Sequence, residues 1–295
     1  MLLGILPPYR SNVASDPVWM RGFAQHAEEV GFESIYTVEH VVVPADYEER
    51  YPYSESGRMP LANDCELPDP LDLLGFIAAS TERIHLATGI LVAPHHHPLI
   101  LGKRVATIDR LSGGRMRLGV GVGWMREELE ATGVAFETRG RRLDEQLQAL
   151  REIWTSASPS FHGDFYEFTH ASSFPKPAPR PGGGTVPIHI GGHSVAAARR
   201  AGRFGDGFQP LGLDHELLVK RLATMRSAAE ESGRDHTAIE LTLGAPLQTV
   251  DSAAVAAAVE AGAHRLLLST ATADLGELST LMAAAVRVGG VTPVV

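Results

Sequence analysis

Short apolar runs alternate along the chain with longer segments in which apolar residues return every three to four positions, the pattern of parallel strands joined by crossover helices. The runs predict strands over residues 2–6, 34–38, 84–93, 116–122, 186–190, 207–211, 239–243 and 265–269. The periodic segments predict helices over 17–31, from 70 onward, and over 98–111, 125–132, 139–155, 194–204, 214–232 and 252–261, with a last one closing near 288. Punctuation supports these bounds: Asp16 caps a helix that Pro17 opens, and Gly31 ends it. Two stretches carry no helical period. Residues 41–68 form a polar insertion rich in Pro, Tyr and acidic residues, and residues 156–185 an excursion with alternating Phe that suggests a small β-hairpin. Eight strand–helix units of about 37 residues match a (β/α)8 TIM barrel, typically about 250 residues long, with insertions after strand 2 and before strand 5. The expectation is a single domain over residues 1–295. A doubly wound sheet would need a dinucleotide fingerprint, and Gly119, Gly121 and Gly123 lack a third Gly at the required offset.

Composition narrows the function classes. With 26 Lys+Arg against 35 Asp+Glu in 295 residues, the net charge of −9 disfavours any broad grip on nucleic acid. The 44% hydrophobic content and mean hydropathy of −0.02 leave ample core material, yet no run spans a bilayer. Gly (30) and Pro (19) make up about a sixth of the chain, against roughly an eighth on average, so many turns are built. Cys65 stands alone, and the opening MLLGILPPYR lacks a basic n-region and cleavage site; a reducing, cytoplasmic location is expected.

In a barrel, chemistry gathers where strands meet the loops that follow them. His40 stands there behind Glu39, suited to give and take a proton, with Glu39 placed either to orient it or to cap a helix. Gly191-Gly192-His193-Ser194 reads as a close-approach turn whose Ser caps a helix with anion-attracting amides; no side chain at Ala197 competes for them. Gly89, inside an apolar strand, suggests a bulge or a ligand's close approach, whereas Gly75 suggests tight helix packing. Gly182-Gly183-Gly184 precedes a strand and reads as a linker. His95, His96 and His97 invite a metal, but three consecutive residues cannot all face one ion, so no metal site is expected. Tyr47, Tyr51, Tyr53 and Arg58 place the first insertion over the rim as a candidate lid.

Three fragments together are more specific than any one: SIYTVEHVVVP, ATGILVAPHHHPLILGKRVATIDRLSGGRMRLGVGVGWMREE and PIHIGGHSVAAARRAGRFGDGF. Over nearly its whole length the chain resembles the bacterial luciferase-like monooxygenase superfamily, and within it the coenzyme F420-dependent oxidoreductases. The resemblance implies a TIM barrel holding F420, or alternatively FMN, over its mouth, with His40 at the catalytic position. It places Gly89-Ile90 at a non-prolyl cis peptide against the cofactor ring. Gly123 and Trp124, at the end of strand 4, are implied cofactor-binding residues as well, and Gly191, Gly192, His193 and Ser194 fall at the cofactor phosphate. F420-dependent sugar-phosphate dehydrogenases carry a Glu where this chain has Trp124, which argues against that substrate and for an apolar or aromatic floor.

The expected activity is therefore hydride transfer between deazaflavin C5 and a small organic substrate, with His40 exchanging the proton. The alternatives are an FMN-dependent monooxygenase using O2 and fed by a separate reductase, and a flavin- or F420-binding protein without turnover. A metal-dependent hydrolase using His95 or His97 ranks behind these. The resemblance also implies a homodimer; neither nucleic acid nor membrane is an expected partner.

Overall fold

The structure, a computed structural model, describes residues 1–180 and 183–290. Barrel strands β1 (Leu2–Ile5), β2 (Ser34–Thr37), β3 (His85–Thr88), β4 (Leu91–Val92), β5 (Met116–Gly121), β8 (Ile188–Gly191), β9 (Gly207–Gln209), β10 (Glu240–Pro246) and β11 (Arg265–Ser269) all pair in parallel. β3 and β4 are two halves of the third barrel strand, both paired to β5, and β1 pairs with both β2 and β11. The sheet thus closes as an eight-stranded (β/α)8 barrel. The remaining pair, β6 (Phe161–His162) and β7 (Glu167–Phe168), is the antiparallel hairpin of the second excursion.

Helices α1 (Pro17–Val30), α2 (Pro70–Ala78), α3 (Pro98–Leu111), α4 (Arg126–Ala131), α5 (Arg139–Thr155), α6 (Val195–Phe204), α7 (His215–Glu231) and α8 (Ser252–Glu260) lie between the strands in sequence, and α9 (Leu275–Gly289) follows the last of them. Asp16 caps α1 through the amides of Val18 and Trp19, and Asp69 caps α2 through Leu71 and Asp72. Outward-facing Leu3, Ile5, Ile35, Leu86, Leu118, Ile188 and Phe208 merge with Met20, Phe23, Leu74, Leu101, Leu150 and Met282 from the helices into one buried core. Both faces of the strands are covered, which is why they read as continuous apolar runs.

The barrel interior is different. At its N-terminal end, Arg265 is 1% exposed and meets both Glu33 oxygens at 2.7 and 3.0 Å, Glu240 at 3.1 Å and Thr242 at 3.2 Å. Arg117 adds a 2.7 Å bond to Glu33. This polar plug closes the floor and leaves the C-terminal end as the mouth.

Three sequence expectations need correction. The third strand is not continuous over 84–93: it breaks at the Gly89-Ile90 peptide, which is cis. Gly75 does not mark tight helix packing, since a methyl group there would meet nothing within 4 Å outside its own helix. The run 156–185 is only partly a surface excursion: its end is held by buried Asp109, which accepts from the Ala178 amide at 2.8 Å and from Arg180 at 3.0 Å. Gly182 lies outside the described residues.

Candidate active site

Residues 38–69, between β2 and α2, contain neither helix nor strand, and they begin at the mouth with His40. The His40 side chain is 15% exposed, and its Nδ1 lies 2.8 Å from Oε2 of Glu128, itself 3% exposed. Glu128 sits in the first turn of α4; its Oε1 accepts from the Val41 amide at 2.7 Å and the Val42 amide at 3.4 Å. One carboxyl group therefore fixes both the His40 ring and the root of the insertion. Nothing in residue spacing marked Glu128: it lies four positions beyond Trp124, within a run of acidic residues that reads as a solvated helix start.

Glu39 points elsewhere. Its oxygens take the Val92 amide at 2.6 Å and His96 Nε2 at 2.7 Å, tying the end of β2 to the far side of the cis peptide. Its carboxyl group makes no contact with His40 that could orient the ring, and Glu128 fills that place. The three adjacent histidines diverge. His95 bonds Thr132 at 2.7 Å, His96 bonds Glu39, and His97 accepts from the Leu99 amide at the start of α3.

Trp124 lies edge-on to His40, with ring centroids 6.4 Å apart, and also meets Tyr47 at 5.7 Å and Tyr51 at 5.2 Å. Tyr51 continues to Tyr53 at 5.3 Å, and the Tyr53 hydroxyl reaches His193 Nδ1 at 3.2 Å. An aromatic row thus crosses the mouth from β2 to the β8–α6 turn, carried largely by the insertion. Arg58 stays outside it, paired with Glu49 at 3.0 Å. Burial pushes the Tyr53 phenol up to about 12, and burial with Arg221 nearby pushes the His193 ring below the usual histidine range.

At the β8–α6 turn, Ser194 caps α6 by accepting from the Ala197 amide at 3.1 Å. Among the described residues neither the Val195 nor the Ala196 amide finds a protein acceptor, so two N–H groups remain for an anion. Arg221 of α7, unmarked by any motif, donates to the His193 carbonyl at 2.7 Å and brings a positive charge to the same turn.

The glycines of the mouth are explained mostly by protein atoms. A methyl group at Gly121 would lie 2.8 Å from Ile90 Cδ1, one at Gly123 2.8 Å from Val92, and one at Gly191 would strike Ile90 Cγ2. The Ile90 side chain therefore already accounts for glycine at 191, without a ligand's approach being needed. Gly192 is required by its backbone, at φ 120°. Gly89 is walled by Tyr36 at 2.9 Å and by the Gln209 side chain at 3.2 Å from where its Cβ would stand. Gln209 Oε1 is buried beside Gly89 and Gly119, without a hydrogen-bond partner among the described residues. An unpaired acceptor at the barrel mouth fits a planar ring with an N–H edge, and the α6 amides fit its phosphate.

A profile of the luciferase-like monooxygenase family matches residues 7–288. An uncharacterized protein of Mycobacterium tuberculosis is 33% identical over 213 residues, covering 71% of this chain and 74% of the relative. An F420-dependent glucose-6-phosphate dehydrogenase of Nakamurella multipartita is 31% identical over 224 residues, covering 74% of this chain and 60% of that enzyme. In fold, the chain is similar to an F420-dependent secondary alcohol dehydrogenase solved with an F420-acetone adduct, with a TM-score of 0.77, 18% identity and 98% of each chain covered. The barrel, the rim that gathers His40 and the β8–α6 turn, and this match over nearly the whole chain have one conclusion: the protein belongs to the luciferase-like monooxygenase family of oxidoreductases.

Proposed function

We propose that the protein is an F420-dependent oxidoreductase that moves a hydride between C5 of the deazaflavin and a small organic substrate. The observation that carries this reading is His40, fixed at the barrel mouth through Nδ1 with Nε2 left for a reacting group. Relatives named for F420 dependence support the choice of cofactor. When bound, F420 supplies a two-electron acceptor or donor at C5. Gln209 Oε1 would accept from the ring edge, and the Val195 and Ala196 amides with Arg221 would hold the phosphate. In the oxidising direction, His40 Nε2 takes the proton of the substrate hydroxyl as its carbon loses a hydride; in the reducing direction Nε2 returns it. Trp124 and Tyr51 form an apolar wall that excludes water and suits an apolar or aromatic substrate.

The test is His40→Ala. It is expected to keep cofactor affinity and to lose about 10²-fold or more in turnover, the usual size of a general acid–base contribution. Unchanged turnover with a verified substrate would remove His40 from the reaction. F420 binding without turnover across small alcohols, ketones and aromatic substrates would instead identify a carrier.

A further inference from the structure

We infer that Glu128 is a positioning residue that acts through His40, by fixing which ring nitrogen carries the proton and which faces the substrate. The inference rests on the reading of His40 as the proton-exchanging group. Glu128 Oε2 accepts from His40 Nδ1–H at 2.8 Å, so the proton of the neutral ring sits on Nδ1 and the lone pair on Nε2. An imidazole without that partner distributes its proton over both nitrogens, and one of those tautomers presents the wrong group to a substrate hydroxyl.

Glu128 is built to be an acceptor on both sides. Its other oxygen is occupied by the amides of Val41 and Val42, which cannot do anything but donate. His95 does not compete for it. Its ring is bonded through Nδ1 to the Thr132 hydroxyl at 2.7 Å. Burial, partly offset by Glu128, pushes His95 below the usual histidine range. Its Nε2 is buried, without a hydrogen-bond partner among the described residues, and stands 3.8 Å from Glu128 Oε1, beyond hydrogen-bond reach. The carboxyl group is left to one imidazole alone. A carboxamide cannot replace it, because one of its two ends would set a donor against either Val41 N–H or His40 Nδ1–H.

The same carboxyl group joins two functions. Its grip on Val41 and Val42 fixes the first residues of the insertion, so the proton-exchanging ring and the root of the aromatic cover are set by one side chain. It also supplies, from inside α4, an acid next to His40 that position 124 does not supply.

The experiment has two arms, run on the isosteric Glu128→Gln and, as a control that keeps the carboxylate but shortens its reach, Glu128→Asp, each checked for folding by thermal melting. In the first, 15N-histidine-labelled protein without added cofactor is examined by NMR, with His40 assigned by its disappearance in His40→Gln. The wild-type ring is expected as the Nδ1–H tautomer, Glu128→Gln as a mixture, and Glu128→Asp between them. The same tautomer in all three would overturn the inference. In the second, F420 turnover is expected to fall about tenfold or more in Glu128→Gln, with cofactor affinity kept and with no further loss when added to His40→Ala. An equal loss in both backgrounds, or a loss of affinity in place of turnover, would overturn it. If the wild type shows no F420 turnover while the tautomer still shifts, the functional reading fails and the positioning role stands.

Discussion

A methyl group added at Gly191 would run into Cγ2 of Ile90, and one at Gly121 would sit 2.8 Å from Cδ1 of the same side chain. Two glycines on neighbouring strands thus make room for one isoleucine. Gly191→Ala should therefore destabilise the fold by about 1–3 kcal/mol, the cost of overpacking a filled core. Ile90→Ala placed in the same chain should recover part of that loss; a purely additive pair in denaturant melts would show that the two residues do not share the space. Single residues were unevenly legible. His40, His193 and Ser194 announced themselves by standing just after strands, where a barrel puts its chemistry. Glu128, Gln209 and Arg221 did not, because each reaches the mouth from within or beyond an element where its type is ordinary. At Gly191 the sequence suggests a ligand's approach, because it cannot show that a neighbour filling the gap lies about a hundred positions away.

At the scale of elements, the insertion between β2 and α2 has no regular structure of its own and depends on contacts with the rim. Trp124 is the hub of those contacts, meeting Tyr47, Tyr51 and His40. Aromatic pairs are worth about 0.5–1.5 kcal/mol each, so Trp124→Ala should open the insertion about tenfold more often, since about 1.4 kcal/mol is a factor of ten. Tryptic cleavage after exposed Arg50 and Arg58, followed by mass spectrometry, should accelerate by that factor with the barrel intact; an unchanged rate would show that other contacts hold the segment. The alternation of strand and helix was legible throughout, since burial on both strand faces and on one helix face writes two distinct periods. The break between β3 and β4 was not, because apolar residues on either side of Gly89 continue the strand pattern across it.

The whole molecule is a barrel plugged by charge at one end and open to chemistry at the other. Burial would raise the Glu33 carboxyl, but Arg117 and Arg265 more than offset it and hold it well below the usual carboxylate range. Unfolding restores the ordinary value near 4.5, so the unfolded chain binds the extra proton as pH falls through it. The stabilisation is complete above that pH and is lost below it. His189 acts earlier: burial, with Arg117 and Arg265 nearby, pushes it well below its ordinary 6.5, so stability declines from that pH downward. Glu33→Gln, which removes the carboxylate that buried Arg117 and Arg265 share, should cost about 3 kcal/mol at pH 7 and flatten the decline below pH 4.5, read from urea melts at a series of pH values. An unchanged acid limb would place the sensitivity elsewhere. The charged floor leaves the mouth as the place for a ligand, and the identity of that ligand is the centre of the account. The most direct measurement is titration of the purified protein with F420 and with FMN, followed by fluorescence. Saturable, stoichiometric F420 binding in the micromolar range is the predicted result; micromolar FMN binding with no response to F420 would contradict it.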